Sequence, residues 1–120
     1  MLVAGWCITA CEKDDGVDPF STINVEVRHH TWGIANASVW FKSGTDTFPG
    51  KDGAAYDQMQ ITDENGNTTF RALRGNHYLM VMGFDPLVND SVVGYGPVVV
   101  DETTVDADQQ LTATLYVSHY

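Results

Sequence analysis

From Ser21 onward, apolar and polar residues alternate with period two, the spacing that sends successive side chains to opposite faces of an extended chain. Ile23, Val25 and Val27 alternate with Asn24, Glu26 and Arg28, and Ala37, Val39 and Phe41 alternate with Ser38, Trp40 and Lys42. Each set predicts a strand with one face against a core. Met59 and Ile61 share a face, Phe70 and Ala72 face inward on the next strand, and either Tyr78, Met80 and Met82 or Leu79 and Val81 fill another. The run from Val92 to Val100 is rich in valine but interrupted by Gly94, Gly96 and Pro97, which predicts a bulge or an edge strand. Leu111, Ala113, Leu115 and Val117 alternating with Thr112, Thr114, Tyr116 and Ser118 form the clearest strand. No window of a dozen residues holds helical periodicity with caps. About seven short strands joined by turns rich in Gly, Asn and Asp predict an all-β fold, an antiparallel β-sandwich.

The 120 residues leave room for one compact domain, expected over 21–120. Before it, residues 11–20 read as an acidic tether in which Gly16 and Pro19 break regular structure, and residues 1–10 are apolar or small and uncharged. Between two alternating runs lies Thr62-Asp63-Glu64-Asn65-Gly66-Asn67. Asp63, Asn65 and Gly66 mark it as a hairpin turn, with Asn65-Gly66 supplying positive φ angles.

Charge and composition narrow the chemistry. Sixteen acidic residues against six basic ones give a net charge of −10, which opposes binding to nucleic acid. The only cysteines are Cys7 and Cys11, so the domain is expected to hold no disulfide, zinc-thiolate site or cysteine nucleophile. His29-His30, His77 and His119 could offer imidazoles, but neighbours on a strand point to opposite faces and no His-x-His spacing occurs, so no metal is expected. The acidic turn lacks the alternating ligands and the terminal Glu of a calcium loop. Paired carboxylates at a telling spacing, Gly-x-Ser-x-Gly and phosphate-cradling loops are all missing. Neither catalysis nor a cofactor is expected.

Several stretches resemble known families. Ile8-Thr9-Ala10-Cys11 resembles the lipobox of bacterial lipoprotein signals, which implies cleavage before Cys11 and acylation of its thiol; no basic residue precedes it, a departure from such signals. Lys13-Asp14-Asp15 resembles the surface-export signal of Bacteroidetes lipoproteins. Together they imply an outer-membrane protein, lipid-anchored and exposed at the cell surface. Asp90-Ser91-Val92 resembles the short O-glycosylation motif of Bacteroidetes envelope proteins.

Thr62-Asp63, Gly66, Phe70, Leu73 and Tyr78, with Ile34-Ala35-Asn36-Ala37-Ser38-Val39 before them, resemble carboxypeptidase regulatory-like and Cna-B-like domains. That resemblance implies a sandwich of prealbumin (transthyretin) topology with Greek-key connections. The link Leu73-Arg74-Gly75-Asn76-His77-Tyr78 departs from those families in lacking proline and in placing its glycine one residue early. Leu79, Met80, Val81 and Met82 after Tyr78 offer no carboxyl to promote the isopeptide bond of Cna-B-like domains. The ending Tyr116-Val117-Ser118-His119-Tyr120 lacks the Tyr-Arg-Gly-Ser of the superfamily's hydrolases.

The function expected is therefore a non-catalytic binding or structural module. Aromatic residues opposite inward positions or in loops, including Phe48 and Tyr56, fit carbohydrate contact, with Trp32, Trp40, Tyr95 and Tyr116 as the candidate platform. The alternative is a pilus or adhesin component exchanging strands with another envelope protein along Val92–Val100.

Overall fold

The computed structural model describes residues 19–119. Cys7, Cys11, Lys13, Asp14, Asp15 and Tyr120 lie outside the described residues. Nine strands follow in order: β1 (Phe20–His29), β2 (Trp32–Gly33), β3 (Ser38–Ser43), β4 (Gln58–Ile61), β5 (Asn67–Leu73), β6 (Gly75–Asp85), β7 (Asp90–Val100), β8 (Gln110–Tyr116) and β9 (Ser118–His119). A 3₁₀ turn covers Gly53–Ala55. The fold is an all-β sandwich. It has two strands more than the alternation predicts, because β2 and β9 are two residues each and show no period.

In the first sheet β1 is central, with β5 antiparallel to it and β8 parallel. Val27 donates to Gly66 O at 2.8 Å and accepts from Ile34 N at 3.1 Å. These bonds leave the same side of β1, so β2 continues the row begun by β5. The second sheet runs β4-β3-β6-β7-β9 and is antiparallel throughout. The parallel β1–β8 pair departs from the expected antiparallel pairing. Its cause is that β8 arrives from β7 in the opposite sheet, so its direction is set by a crossing between sheets and not by a hairpin.

The inward positions agree with the alternation. Ile23, Val25, Val27 and Val39 are fully buried, and Phe41, Phe70, Ala72, Leu79, Val81, Leu115 and Val117 complete the core with them. Phe41 and Phe70 stack across the two sheets with centroids 5.3 Å apart. Each such large side chain contributes about 1.5–3 kcal/mol on burial.

Strand β6 is buried on both faces from Tyr78 to Val81, while Met82 is half-buried. Leu79 and Val81 of one alternative and Tyr78 and Met80 of the other are thus all buried, because residues 44–57 fold over the outer face of the second sheet. Gly53 lies so close to Trp40 that a Cβ there would fall 2.6 Å from the indole nitrogen. Phe48 stacks on Tyr95 at 4.5 Å. Asp57 pins the end of this segment, its N–H donating to Phe41 O at 2.9 Å and its Oδ2 accepting from Ser43 N at 2.8 Å. Met59 and Ile61 do share a face, but on the outside of β4, where both stay about half exposed.

Strand β7 pairs with β6 in one unbroken register from Gly75↔Val100 to Asp85↔Asp90. There is no bulge, and the edge reading holds: among the described residues β9 covers only Val92 and Val93.

The turn at Asp63, Asn65 and Gly66 forms, yet it is not a hairpin. Its flanking strands belong to different sheets, β4 to the second and β5 to the first, so it is a corner joining the layers. Asp63 Oδ1 accepts from Asn65 N at 2.8 Å and Asn67 N at 3.0 Å, and Gly66 N donates to Asp63 O at 3.0 Å. These contacts, from Asn67 first and then Asn65, hold the Asp63 carboxyl below its usual range. Gly66 alone of the pair has a positive φ, 83°. Thr62 secures the corner from below, accepting from Ala37 N at 2.9 Å and donating to Ile34 O at 2.7 Å. A Cβ on Gly66 would lie 2.7–2.8 Å from backbone atoms of Ile34, Gly33 and Val27. Gly66→Ala is therefore expected to cost at least about 1–3 kcal/mol, read as a lower denaturation midpoint; an unchanged midpoint would contradict this packing.

Candidate functional site

The last residue of β6, Asp85, follows an apolar run and has no exposed surface. A buried carboxylate needs donors on its oxygens to remain an ion. His29 at the end of β1 donates through Nδ1 to Oδ2 at 2.6 Å, and the Trp32 indole donates to the same oxygen at 2.8 Å. Leu87 N donates to Oδ1 at 2.9 Å, closing the turn after Pro86. Burial by itself pushes the Asp85 carboxyl up, but these hydrogen bonds outweigh it and hold the group below the ordinary carboxylate range.

Imidazole rings gather over this centre. His30 stacks on His29 at 4.5 Å, and His119 meets the His29 ring edge-on at 5.5 Å. Adjacent histidines on a strand would point apart; they meet because His30 lies beyond β1 with φ 58°, which folds its ring back. His119 also pairs with Asp90 at 2.7 Å, both well exposed. Even so, among the described residues no group of three His, Cys, Asp or Glu side chains is placed to hold a metal. His77 stands apart from this cluster. It is buried, donates through Nε2 to Leu73 O at 2.7 Å, and has no hydrogen-bond partner at Nδ1 among the described residues.

Beside Asp85 the surface sinks into a hollow of about 320 Å³ lined by Trp32, Asn36, Phe84, Asp85, Pro86 and Leu87, among others. Phe84 is half exposed and Leu87 more so. Three of the four non-glycine residues with positive φ, His30, Asn36 and Asn89, occur in the turns of this pole. Such conformations cost stability and are retained where a shape is needed. The pole thus combines a buried ion, strained turns and exposed apolar side chains around one concavity.

A second concavity, about 760 Å³, runs along the side of the sandwich between β7 and β8. Leu79, Val98 and Leu115 lie at its floor, with Tyr95 and Tyr116 among its lining residues.

The candidate aromatic platform is divided among these places. Trp32 belongs to the polar hollow. Trp40 lies under residues 44–57. Tyr95 and Tyr116 both line the seam, but on strands of different sheets. They cannot form one flat surface with the tryptophans, because the alternation that identified them does not say which sheet or end each occupies. Asp85 and Phe84 escaped the sequence reading altogether. The available signal was a lone acid closing the run Leu79–Phe84 and followed at once by proline.

Asp85 should make stability depend on pH. With its folded value depressed below 3.8, its contribution is complete above the unfolded value and is lost as pH falls through the folded one. The wild type is expected to lose stability below about pH 4. Asp85→Asn should flatten part of that slope and lower stability at neutral pH by about 1–3 kcal/mol for each buried donor left without an acceptor; urea titrations across pH check both. A variant as stable as the wild type at neutral pH would contradict the network.

No family model matches this chain, and no curated protein matches it either.

Proposed function

We propose that this chain is a non-catalytic binding module of a cell-envelope lipoprotein and that its hollow at the Trp32 pole holds a sugar unit of a glycan. The observation that carries the reading is the Trp32 indole, fixed by its bond to Asp85 in a wall shared with the half-exposed Phe84 ring. Sugars present C–H faces to aromatic rings, and a ring already held in place loses little entropy on stacking. Asn36, exposed on the same wall, supplies an amide for hydroxyl groups.

The anchor belongs to the same reading. Cys11 carries the lipid, and Lys13, Asp14 and Asp15 direct export to the surface. Residues 1–18 join β1 at Phe20, whereas the hollow lies past its other end, ten strand residues away, or roughly 30 Å. An anchored chain would present the hollow outward. The sandwich of two sheets supports the prealbumin-like resemblance.

A second reading, an assembly component of pilus or adhesin type, draws on a different feature: the seam between β7 and β8, where among the described residues β9 pairs with β7 only at Val92 and Val93.

Glycan-array binding of the chain from Ser21 onward tests the first reading. Phe84→Ala should weaken retention about tenfold with the fold intact, while Tyr116→Ala should leave it unchanged. Folded protein that retains no glycan, or retention indifferent to Phe84, would overturn it. Radiolabelled palmitate should enter the full-length protein in its native host and fail to enter Cys11→Ala; equal labelling of both would remove the anchor.

A further inference from the structure

We infer that the hollow at the Trp32 pole selects sugars by charge: it takes an uncharged sugar unit and turns away both units that carry a carboxylate or sulfate and units that carry an ammonium. This deepens the reading of that hollow as a glycan site and rests on it.

Acidic sugars are excluded by the walls. Among the described residues that line the hollow none is Lys, Arg or His, and the one charged side chain is Asp85. Arg28 passes beside Gly33 in the lining, but its guanidinium is spent on the corner. It donates to Asn65 O at 3.1 Å, Val27 O at 3.3 Å and Asn67 Oδ1 at 3.4 Å, and it pairs with Glu26 at 3.6 Å. The imidazoles of the pole are engaged as well: His29 and His119 each bond a carboxylate, Asp85 and Asp90 respectively, and His30 stacks on His29. A carboxylate or sulfate entering the hollow would give up water without meeting a cation. It would do so beside a buried carboxylate and in the field of a chain with net charge −10.

The opposite charge finds no partner either. An ammonium leaving water needs a carboxylate oxygen in exchange, and Asp85 has none to give. Its Oδ2 accepts from His29 and Trp32, its Oδ1 accepts from Leu87 N, and the side chain has no exposed surface. The ring faces of Trp32 and Phe84 attract a cation that stays hydrated only weakly. The same bonds that fix the indole thus close Asp85 to any ligand.

A hydroxyl fits what remains. It both donates and accepts, and the exposed Asn36 amide offers donors and an acceptor in return. Trp32, Phe84 and Leu87 cover the C–H faces. None of these contacts requires or rewards a charge on the ligand.

Tetramers of glucose, galactose and mannose test this, each presented beside two counterparts in which the exocyclic hydroxymethyl group is replaced by a carboxylate or by an aminomethyl group. The full chain is used at about pH 7.5, above the range in which free imidazole titrates, and in about 150 mM salt, which screens distant charge. Any neutral tetramer that is retained should bind at least tenfold more tightly than either charged counterpart. Leu87 is the most exposed side chain of the lining, and it meets Asp85 through its backbone N–H alone, so Leu87→Lys adds a cation and keeps the network. That variant should improve retention of the carboxylate form at least tenfold over wild type. A charged form held as tightly as the neutral one, or a folded Leu87→Lys that holds the carboxylate form no better than wild type, would overturn the inference while glycan binding itself stood. Folded wild type that retains none of the tetramers and no other glycan would overturn the glycan reading and this inference with it.

Discussion

A carboxylate sealed from water at the end of β6 can remain an ion only if the chain brings donors to it, and Asp85 draws them from three separate stretches. His29 ends β1, Trp32 begins β2, and Leu87 lies in the turn to β7. The first two belong to one sheet and Asp85 to the other. The polar contact therefore joins the layers at this end, as the stacked Phe41 and Phe70 rings join them in the middle. Hydrophobic burial holds the sheets together without fixing how their ends meet. The directional bonds to Asp85 fix the placement of Trp32, and with it the shape of the adjoining hollow.

The glycines at the neighbouring corner serve the same placement. Gly33 follows Trp32 directly and packs so closely on Asn65 that a Cβ would meet its carbonyl oxygen at 2.0 Å. Gly66 presses on Gly33 and Ile34 from the other strand. Trp32 is thus held through its backbone by the corner and through its indole by Asp85. The side of the sandwich is built differently. There β7 and β8 separate into a seam between their respective sheets, with Asp106 bonded to both peptide groups of Gln110 at the start of β8. One surface is preorganised by polar contacts and the other is a concavity between the edges of two sheets.

Much of the sandwich was legible because inward alternation is a one-dimensional signal. Ile23, Val25 and Val27 could occupy only one side of a half-buried strand, and they do. The choice between the two faces of β6 was not legible, since the segment that buries its outer face, residues 44–57, has no periodicity of its own. The corner at Gly66 read as a hairpin because a tight turn has the same composition whether the chain folds back in one sheet or crosses to another. The pole was hidden for a related reason: Asp85, His29 and Trp32 are separated by up to 56 positions, and only the packing of the two sheets brings them together. Trp32 was picked out for its chemistry, while its partner carried no motif.

The indole N–H of Trp32 reports on this account most directly, by heteronuclear NMR with hydrogen exchange. If the bond to Asp85 holds the pole, this proton is shifted downfield, exchanges slowly at neutral pH, and loses its protection as acid titrates the buried carboxyl. An indole proton that exchanges at neutral pH as fast as that of a free tryptophan would show that Asp85 does not hold Trp32, and the central claim would fail.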